Sequence, residues 1–262
     1  MNNQEAKKLE KKVLRELKTL QENHTIIAAI SGGADSIFLL HFLSQTPAQI
    51  IVAHLNHQLR PEANDDEDFV QEISKSNRFK SKRVNISEES KKHSTGIEET
   101  GRKARYKFFN ELAKKHKAKF IITAHHADDN LETILLNFTR GAGLKGLSGM
   151  QKIENNLFRP LLDISKTEIL AYLQLKKIGY REDESNKDNK YNRNFLRNEI
   201  IPKLKEINPS IVKTIRKNTE NLREIQERLE EEAEVWISAN EISKNTFDAK
   251  KFRALPPTTQ KT

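Results

Sequence analysis

The stretch with the clearest chemistry is Ser31-Gly32-Gly33-Ala34-Asp35-Ser36, which follows an apolar run and opens a helical pattern. Two glycines let the backbone turn tightly and approach a ligand. The amides that follow lie at the positive end of a helix, a nest for phosphate oxygens. Ser31 and Ser36 add hydroxyl donors. Asp35 alone would repel phosphate, so its position implies a bridging cation, and Mg2+ prefers a carboxylate combined with phosphate oxygen. The plainer alternative is a Gly-Gly turn at a strand end, with Asp35 and Ser36 serving as helix caps. The hexapeptide lacks the Gly-Lys-Ser/Thr ending of the ordinary P-loop and is not a dinucleotide fingerprint.

Four further stretches carry reactive side chains: Ala53-His54-Leu55-Asn56-His57-Gln58-Leu59-Arg60; the group Glu98, Arg102, Arg105 and Tyr106; Ala124-His125-His126-Ala127-Asp128-Asp129-Asn130-Leu131-Glu132-Thr133; and Glu182-Asp183-Glu184-Ser185-Asn186 followed by Tyr191, Arg193, Asn194 and Arg197. Asp129 and Glu132 are three apart, so a helix puts both on one face. There they could merely cap the helix or bind a metal. His125 and His126 are adjacent at a strand end and point to opposite faces, which argues against a shared zinc. One is expected to line a nucleotide site and the other to pack. His54 and His57 either contact the nucleotide or end a strand, and for His57 a solvated loop is an equal alternative. Glu98 and Arg102 are spaced to pair on a helix. Arg193 and Arg197 fall on one helix face within residues 187–217, where nine Lys/Arg meet three Asp/Glu. That stretch is a candidate backbone-binding patch for nucleic acid.

These residues need strands and helices to hold them. Thr25–Ile30, Gln49–Leu55, Phe79–Ile86 and Phe120–Ala124 read as strands, the first, second and fourth apolar enough to be buried on both faces. Helical patterns at about 35–44, 64–77, 98–117 and 127–139 alternate with them, which implies a parallel sheet covered on both sides. Asn64, followed by four acidic residues, is the expected start of the second helix. Ligands of such a sheet bind at the carboxyl ends of the strands. Leu9, Val13, Leu17 and Leu20 make the first segment an amphipathic helix. After Gly149 the alternation is expected to stop. Residues 165–178 form a further helix opened by a Ser165/Glu168 capping box, then a polar loop spans 179–192. From residue 209 an apolar stripe through Ile211, Ile215, Leu222, Ile225, Leu229 and Trp236 suggests a long helix, and Pro256-Pro257 stops the last helical segment. Residues 220–241 of it hold eight acidic and two basic residues and are expected to be solvated.

The 262 residues contain no cysteine, which excludes disulfide scaffolds, Cys-ligated zinc or iron–sulfur sites and catalytic thiols. The formal charge of +9, from 46 Lys+Arg against 37 Asp+Glu, favours a polyanionic partner. No apolar run approaches the ~18–20 residues that cross a bilayer, and Met1-Asn2-Asn3-Gln4-Glu5 does not open a signal peptide. A soluble cytoplasmic protein without a membrane partner is the expectation, and a homodimer is compatible with such folds.

Together the hexapeptide and the four stretches, in this order, resemble the tRNA(Ile)-lysidine synthetase family. It lies within the PP-loop superfamily of N-type ATP pyrophosphatases, which split ATP into AMP and pyrophosphate. The likeness covers about residues 24–215. It implies an α/β fold, a Rossmann-like parallel sheet with helices on both faces (adenine nucleotide alpha hydrolase-like), followed by a helical C-terminal segment. Residues 1–207 would form the catalytic domain, and 208–262 the start of a tRNA-binding region. The implied reaction attaches L-lysine to C2 of the wobble cytidine of the CAU-anticodon isoleucine tRNA, using ATP and Mg2+ through an adenylated intermediate. In that scheme Ser31, Gly32, Gly33, Ala34, Asp35, Ser36, His54 and His125 contact ATP, and Asp35 also meets Mg2+. Asp129 and Glu132 hold lysine, and Asp35, Arg102, Asp129 and Glu132 are the catalytic set. Arg105, Arg193, Asn194 and Arg197 meet the tRNA. Asn130 departs from the Gln usual in the family. Many members also continue into further tRNA-binding domains beyond the length of this sequence. Thiolases of the superfamily fit less well because sulfur transfer generally uses cysteine. Amidotransferase relatives would need a glutaminase domain. The remaining alternative is a non-catalytic basic tRNA-binding module.

Overall fold

The computed structural model describes residues 1–59, 61–74, 77–181, 192–243 and 246–256. Arg60, the motif at 182–186, Tyr191 and Pro257 therefore lie outside the described residues, as does most of the expected 179–192 loop. By contacts the chain divides into two compact units, residues 1–130 with 150–188, and residues 131–149 with 189–262.

The first unit is built on a sheet of β1 (Thr25–Ala29), β2 (Gln49–Asn56), β3 (Arg78–Arg83), β4 (Phe120–Ile122), β5 (Ile153–Glu154) and β6 (Leu157–Phe158), in the order β3-β2-β1-β4-β6-β5. All neighbours are parallel except the β5–β6 pair. Alternation of the strand residues explains why three strands are apolar throughout. Ile26, Ala28, Ile50, Val52, Phe120 and Ile122 face one apolar layer, with α1 (Asn3–Leu17), α2 (Ala34–Leu43) and α8 (Lys166–Lys176). Ile27, Ile51, Ala53, Leu55 and Ile121 face the other, with Phe108, Phe109 and Leu112 of α5 (Ile97–Lys115). β3 lies at the edge, and its Arg-Phe-Lys-Ser-Lys-Arg sequence is mostly exposed. Charged edge strands of that kind resist unwanted pairing.

Three local expectations change. The third strand ends at Arg83, and Ile86, fully buried, opens α4 (Ile86–His93) behind an Asn85 side chain that accepts from the Glu88 amide. The preceding helix, α3 (Ala63–Ile73), starts one residue before Asn64, whose side chain accepts from Asn56 Nδ2 (3.1 Å) and does not cap the helix. The sheet also continues past Gly149, since β6 pairs in parallel with β4 and β5 folds back on it. The Ser165/Glu168 capping box forms as expected.

The second unit contains the later turns of α6 (Ala127–Thr139), α7 (Leu144–Leu147), α9 (Asn192–Phe195), a π-helical turn (Leu196–Ile200), α10 (Ile201–Ile207) and α11 (Ile211–Asn240). A hairpin of β7 (Glu241–Ser243) and β8 (Thr246–Phe247) and a short α12 (Ala249–Arg253) follow. The single long helix is present, but its apolar stripe is only half-buried. Ile225 is exposed and Thr219 is the one buried residue of α11 among those described. Among the described residues no helix is long and apolar enough to cross a membrane.

Candidate active site

Sheet order reverses between β1 and β4, and their carboxyl ends carry the hexapeptide and the His125–Asp129 segment, respectively. A crevice at that reversal is where doubly wound folds place ligands.

The loop is held by its own atoms. Ser36 Oγ donates to the Gly33 carbonyl (2.9 Å) and accepts from the amides of Ser31 (3.2 Å) and Gly32 (3.1 Å). Ser36 is thus a buried clasp, and Ser31 remains exposed. Gly32 sits at φ +94°, and a Cβ there would lie 3.2 Å from Val70 Cγ2, so both conformation and space require glycine. The Arg181 amide donates to the Gly32 carbonyl (2.9 Å), tying the loop to the strand-like end after α8. α2 begins behind Gly33 with no side-chain cap, which leaves its first-turn amides available to an anion.

Asp35, in that first turn, meets two cations. Lys166 Nζ donates to its Oδ1 at 2.6 Å, and His126 Nε2 lies 3.6 Å from its Oδ2. Burial would raise the Asp35 pKa, but His126 and Lys166 outweigh it and bring it down to about 2. His126 is buried and ringed by acids, with Nε2 3.4 Å from Asp129 Oδ2 and Nδ1 3.8 Å from Asp128 Oδ2. Burial alone would lower its pKa, and Asp129, Asp35 and Asp128 together raise it instead. Asp128 Oδ2 accepts from the Lys166 amide (2.8 Å), and the Asp129 carboxylate accepts from the His126 amide (3.0 Å). His125 is half-buried beside Thr123 (Nδ1 to Oγ1 2.8 Å). Asn130 is buried and accepts from the Met150 amide (2.7 Å), which gives the shorter amide a definite structural role.

His54 is buried in the sheet with Nδ1 donating to the Ile30 carbonyl (2.9 Å). Burial lowers its pKa, so the neutral ring acts as a bolt beneath the loop. Asn56, also buried, binds Glu67 Oε2 (2.9 Å), which in turn accepts from Arg83 Nε (2.8 Å), and this network holds the chain leaving β2. His57 leans on α5, where a Cβ on Gly101 would lie 3.1 Å from its ring. Arg105 Nη2 lies 3.2 Å from His57 Nε2. A guanidinium only donates, so that nitrogen accepts. Arg102 is exposed over the Tyr106 ring at 5.0 Å instead of on Glu98, and the helix-spaced ion pair nearby is Glu99–Lys103 (3.4 Å).

In the second unit Glu132 is buried. Arg197 grips it through both carboxylate oxygens, Nε to Oε1 at 2.6 Å and Nη2 to Oε2 at 3.0 Å. Arg193 donates to Thr133 Oγ1 (2.8 Å). Asn194 is half-buried in the same short helix.

Lys166, the Asn56–Glu67–Arg83 network and Gly101 were not singled out from sequence. Only Gly101 carried a signal, since a glycine inside a helical pattern marks a close approach. Among the described residues no cluster of three or more His, Asp or Glu is arranged to hold a metal. Asp35, with one carboxylate facing a phosphate nest, fits a cation whose other ligands come from phosphate and water.

Residues 2–204 match the PP-loop domain family. The chain is 38% identical over 241 residues to a tRNA(Ile)-lysidine synthase of Porphyromonas gingivalis, covering 90% of this chain and 52% of that protein. It is 40% identical over 204 residues to a tRNA(Ile)-lysidine synthase of Petrotoga mobilis, covering 76% of this chain and 66% of that one. The chain thus spans about half to two thirds of these relatives' length. Among solved structures it is similar to the U34-tRNA thiolase NcsA from Methanococcus maripaludis with its [4Fe-4S] cluster, with a TM-score of 0.66 at 19% identity, covering 83% of this chain and 78% of that one. That likeness concerns the fold alone.

Proposed function

The chain belongs to the PP-loop domain family, and from that premise we propose that it is a tRNA(Ile)-lysidine synthetase, a ligase that forms a carbon–nitrogen bond in the cytoplasm. The observation that carries the reading is the meeting of the phosphate nest at 31–36 with the Asp35–His126–Asp129 cluster, at the reversal of strand order. The names of the relatives support the choice of substrate.

Cytosine C2 bears a carbonyl oxygen, a poor leaving group. In the proposed reaction that oxygen attacks the α-phosphorus of ATP, the α–β bridge breaks, and pyrophosphate departs to leave an AMP ester on the base. The ε-amine of lysine then adds to C2 and AMP leaves, with the amine proton passing to a base. The amides that open α2 stabilise charge as it develops on pyrophosphate, which is electrostatic catalysis. Asp35 would hold a Mg2+ that accompanies ATP, and the ion would supply further neutralisation. His125 lines the nucleotide cleft, and His54 acts through the strand end it fastens.

Asp129 and Glu132 are proposed to receive lysine, and Arg102 to steady the reacting nucleotide. Arg105, Arg193, Asn194 and Arg197 are proposed to meet tRNA, with residues 1–207 carrying the chemistry and 208–262 leading into a tRNA-binding region. An anticodon loop presents its wobble base unstacked at less cost than a duplex does. The test is lysine-dependent AMP formation with the CAU-anticodon isoleucine tRNA and with the methionine tRNA that shares the anticodon. Turnover on the first alone is expected. Equal turnover on both, or none on either, contradicts the assignment.

A further inference from the structure

Lys166 opens α8 and has no part in the chemistry described so far. Its backbone is fixed, because its amide donates to Asp128 and the preceding Ser165 is locked in a capping box with Glu168. Its side chain is not fixed in the same way. It is 37% exposed and makes its ion pair with Asp35, whose side chain is 29% exposed. A long chain on a rigid stem, partly in solvent, can swing while its root stays in place.

The local charges give that swing a direction. Asp35, Asp128 and Asp129 gather here, and His126 and Lys166 are cations paired with them. His126 is buried in the middle of the acids and faces three of them. Lys166 is therefore the one of these two cations able to follow an incoming anion. An arriving polyphosphate brings its own divalent cation, which is drawn to the carboxylate nearest the nest, and that carboxylate is the one Lys166 holds.

We propose that Lys166 is a phosphate-binding residue of this site: its ammonium, seen resting on Asp35, moves to the outer phosphate oxygens of a bound triphosphate, or to pyrophosphate, as a divalent cation takes its place on Asp35. The proposal rests on the reading of 31–36 as a polyphosphate site and adds a residue that reading does not contain. No covalent step is involved, only an exchange of ion pairs.

The test measures binding of inorganic pyrophosphate to the whole chain by calorimetry, first with chelator and then with Mg2+. Lys166→Met keeps the stem and removes the charge. With Mg2+, which frees the ammonium from Asp35, it weakens pyrophosphate binding by about tenfold or more, the scale of one charged hydrogen bond, and without metal the gap narrows. Lys166→Arg retains affinity within about threefold. Asp35→Asn has the opposite sign without metal, tightening pyrophosphate binding because a repelling carboxylate is gone and the lysine is released. A thermal midpoint of Lys166→Met close to that of the unaltered chain separates these effects from misfolding, and should it fall, the Asp35→Asn arm decides. If the unaltered chain binds pyrophosphate and Lys166→Met binds it equally well, Lys166 is only a partner of Asp35 and the proposal fails while the site stands. Failure of the unaltered chain to bind pyrophosphate or ATP under either condition overturns both.

Discussion

The two carboxylates proposed to act on opposite ends of the reaction, Asp35 and Glu132, are held very differently. Asp35 is partly open to solvent and paired with a single-point lysine and a histidine at 3.6 Å. Glu132 is 1% exposed and clamped at both oxygens by one guanidinium. The first arrangement can exchange cations at small cost. The second is saturated, so a lysine ammonium would have to displace or share with Arg197. A buried carboxylate deprived of a two-point guanidinium is expensive, which means the incoming amine must replace charge for charge. The carboxylate proposed for the polyphosphate end is thus held by an exchangeable cation, and the one proposed for lysine by a two-point clamp.

Substitutions at each end test that difference. The largest effect is expected from Asp35→Asn, which should lower AMP formation on the order of a thousandfold while tRNA affinity, measured by filter binding, stays nearly unchanged. Glu132→Ala should raise the lysine concentration for half-maximal rate by about tenfold or more and leave ATP affinity alone. Weakened ATP binding instead would remove Glu132 from the lysine site.

Gly32→Ala should cost about 1–2 kcal/mol of stability, read by chemical denaturation, because it forces a side chain into a left-handed conformation against Val70. It should also weaken ATP binding, since Ser36 can no longer close the loop in the same shape.

The smallest effect concerns pH. The pKa of His126 is raised in the folded chain above the ordinary 6.5 by the acids around it, so its contribution is complete below pH 6.5 and is lost as pH rises through the higher folded value. Asp35 is lowered to about 2 from 3.8, so its contribution is present above pH 3.8 and lost as pH falls through 2. Denaturation of His126→Gln should lack the alkaline decline. A decline identical to that of the unaltered chain would mean that His126 is not the protonated centre of the cluster.

Much of the nucleotide side was legible because its determinants are local. The Ser31–Ser36 loop, the apolar strands around it and the Ser165/Glu168 cap each lie within a few consecutive residues, where turn chemistry and periodicity apply. The β5–β6 pair escaped notice because two residues per strand are too few for any period. Ile86 looked like the end of a strand because a buried isoleucine serves either element, and only the Asn85 cap decides between them. Long-range pairs left no trace. Lys166 reaches Asp35 across 131 positions and Arg197 reaches Glu132 across 65, and in sequence both cations resemble ordinary surface charge. The sequence leaves His54 as a nucleotide contact or a strand end, and its inward tie to Ile30 depends on which face of β2 it occupies.

The most direct measurement supplies ATP radiolabelled at the α-phosphate together with the CAU-anticodon isoleucine tRNA, and withholds lysine. The account predicts that label becomes attached to the tRNA, that Asp35→Asn abolishes the attachment, and that added lysine releases the label as AMP. Label that never joins the tRNA, or that joins equally well without Asp35, would contradict it.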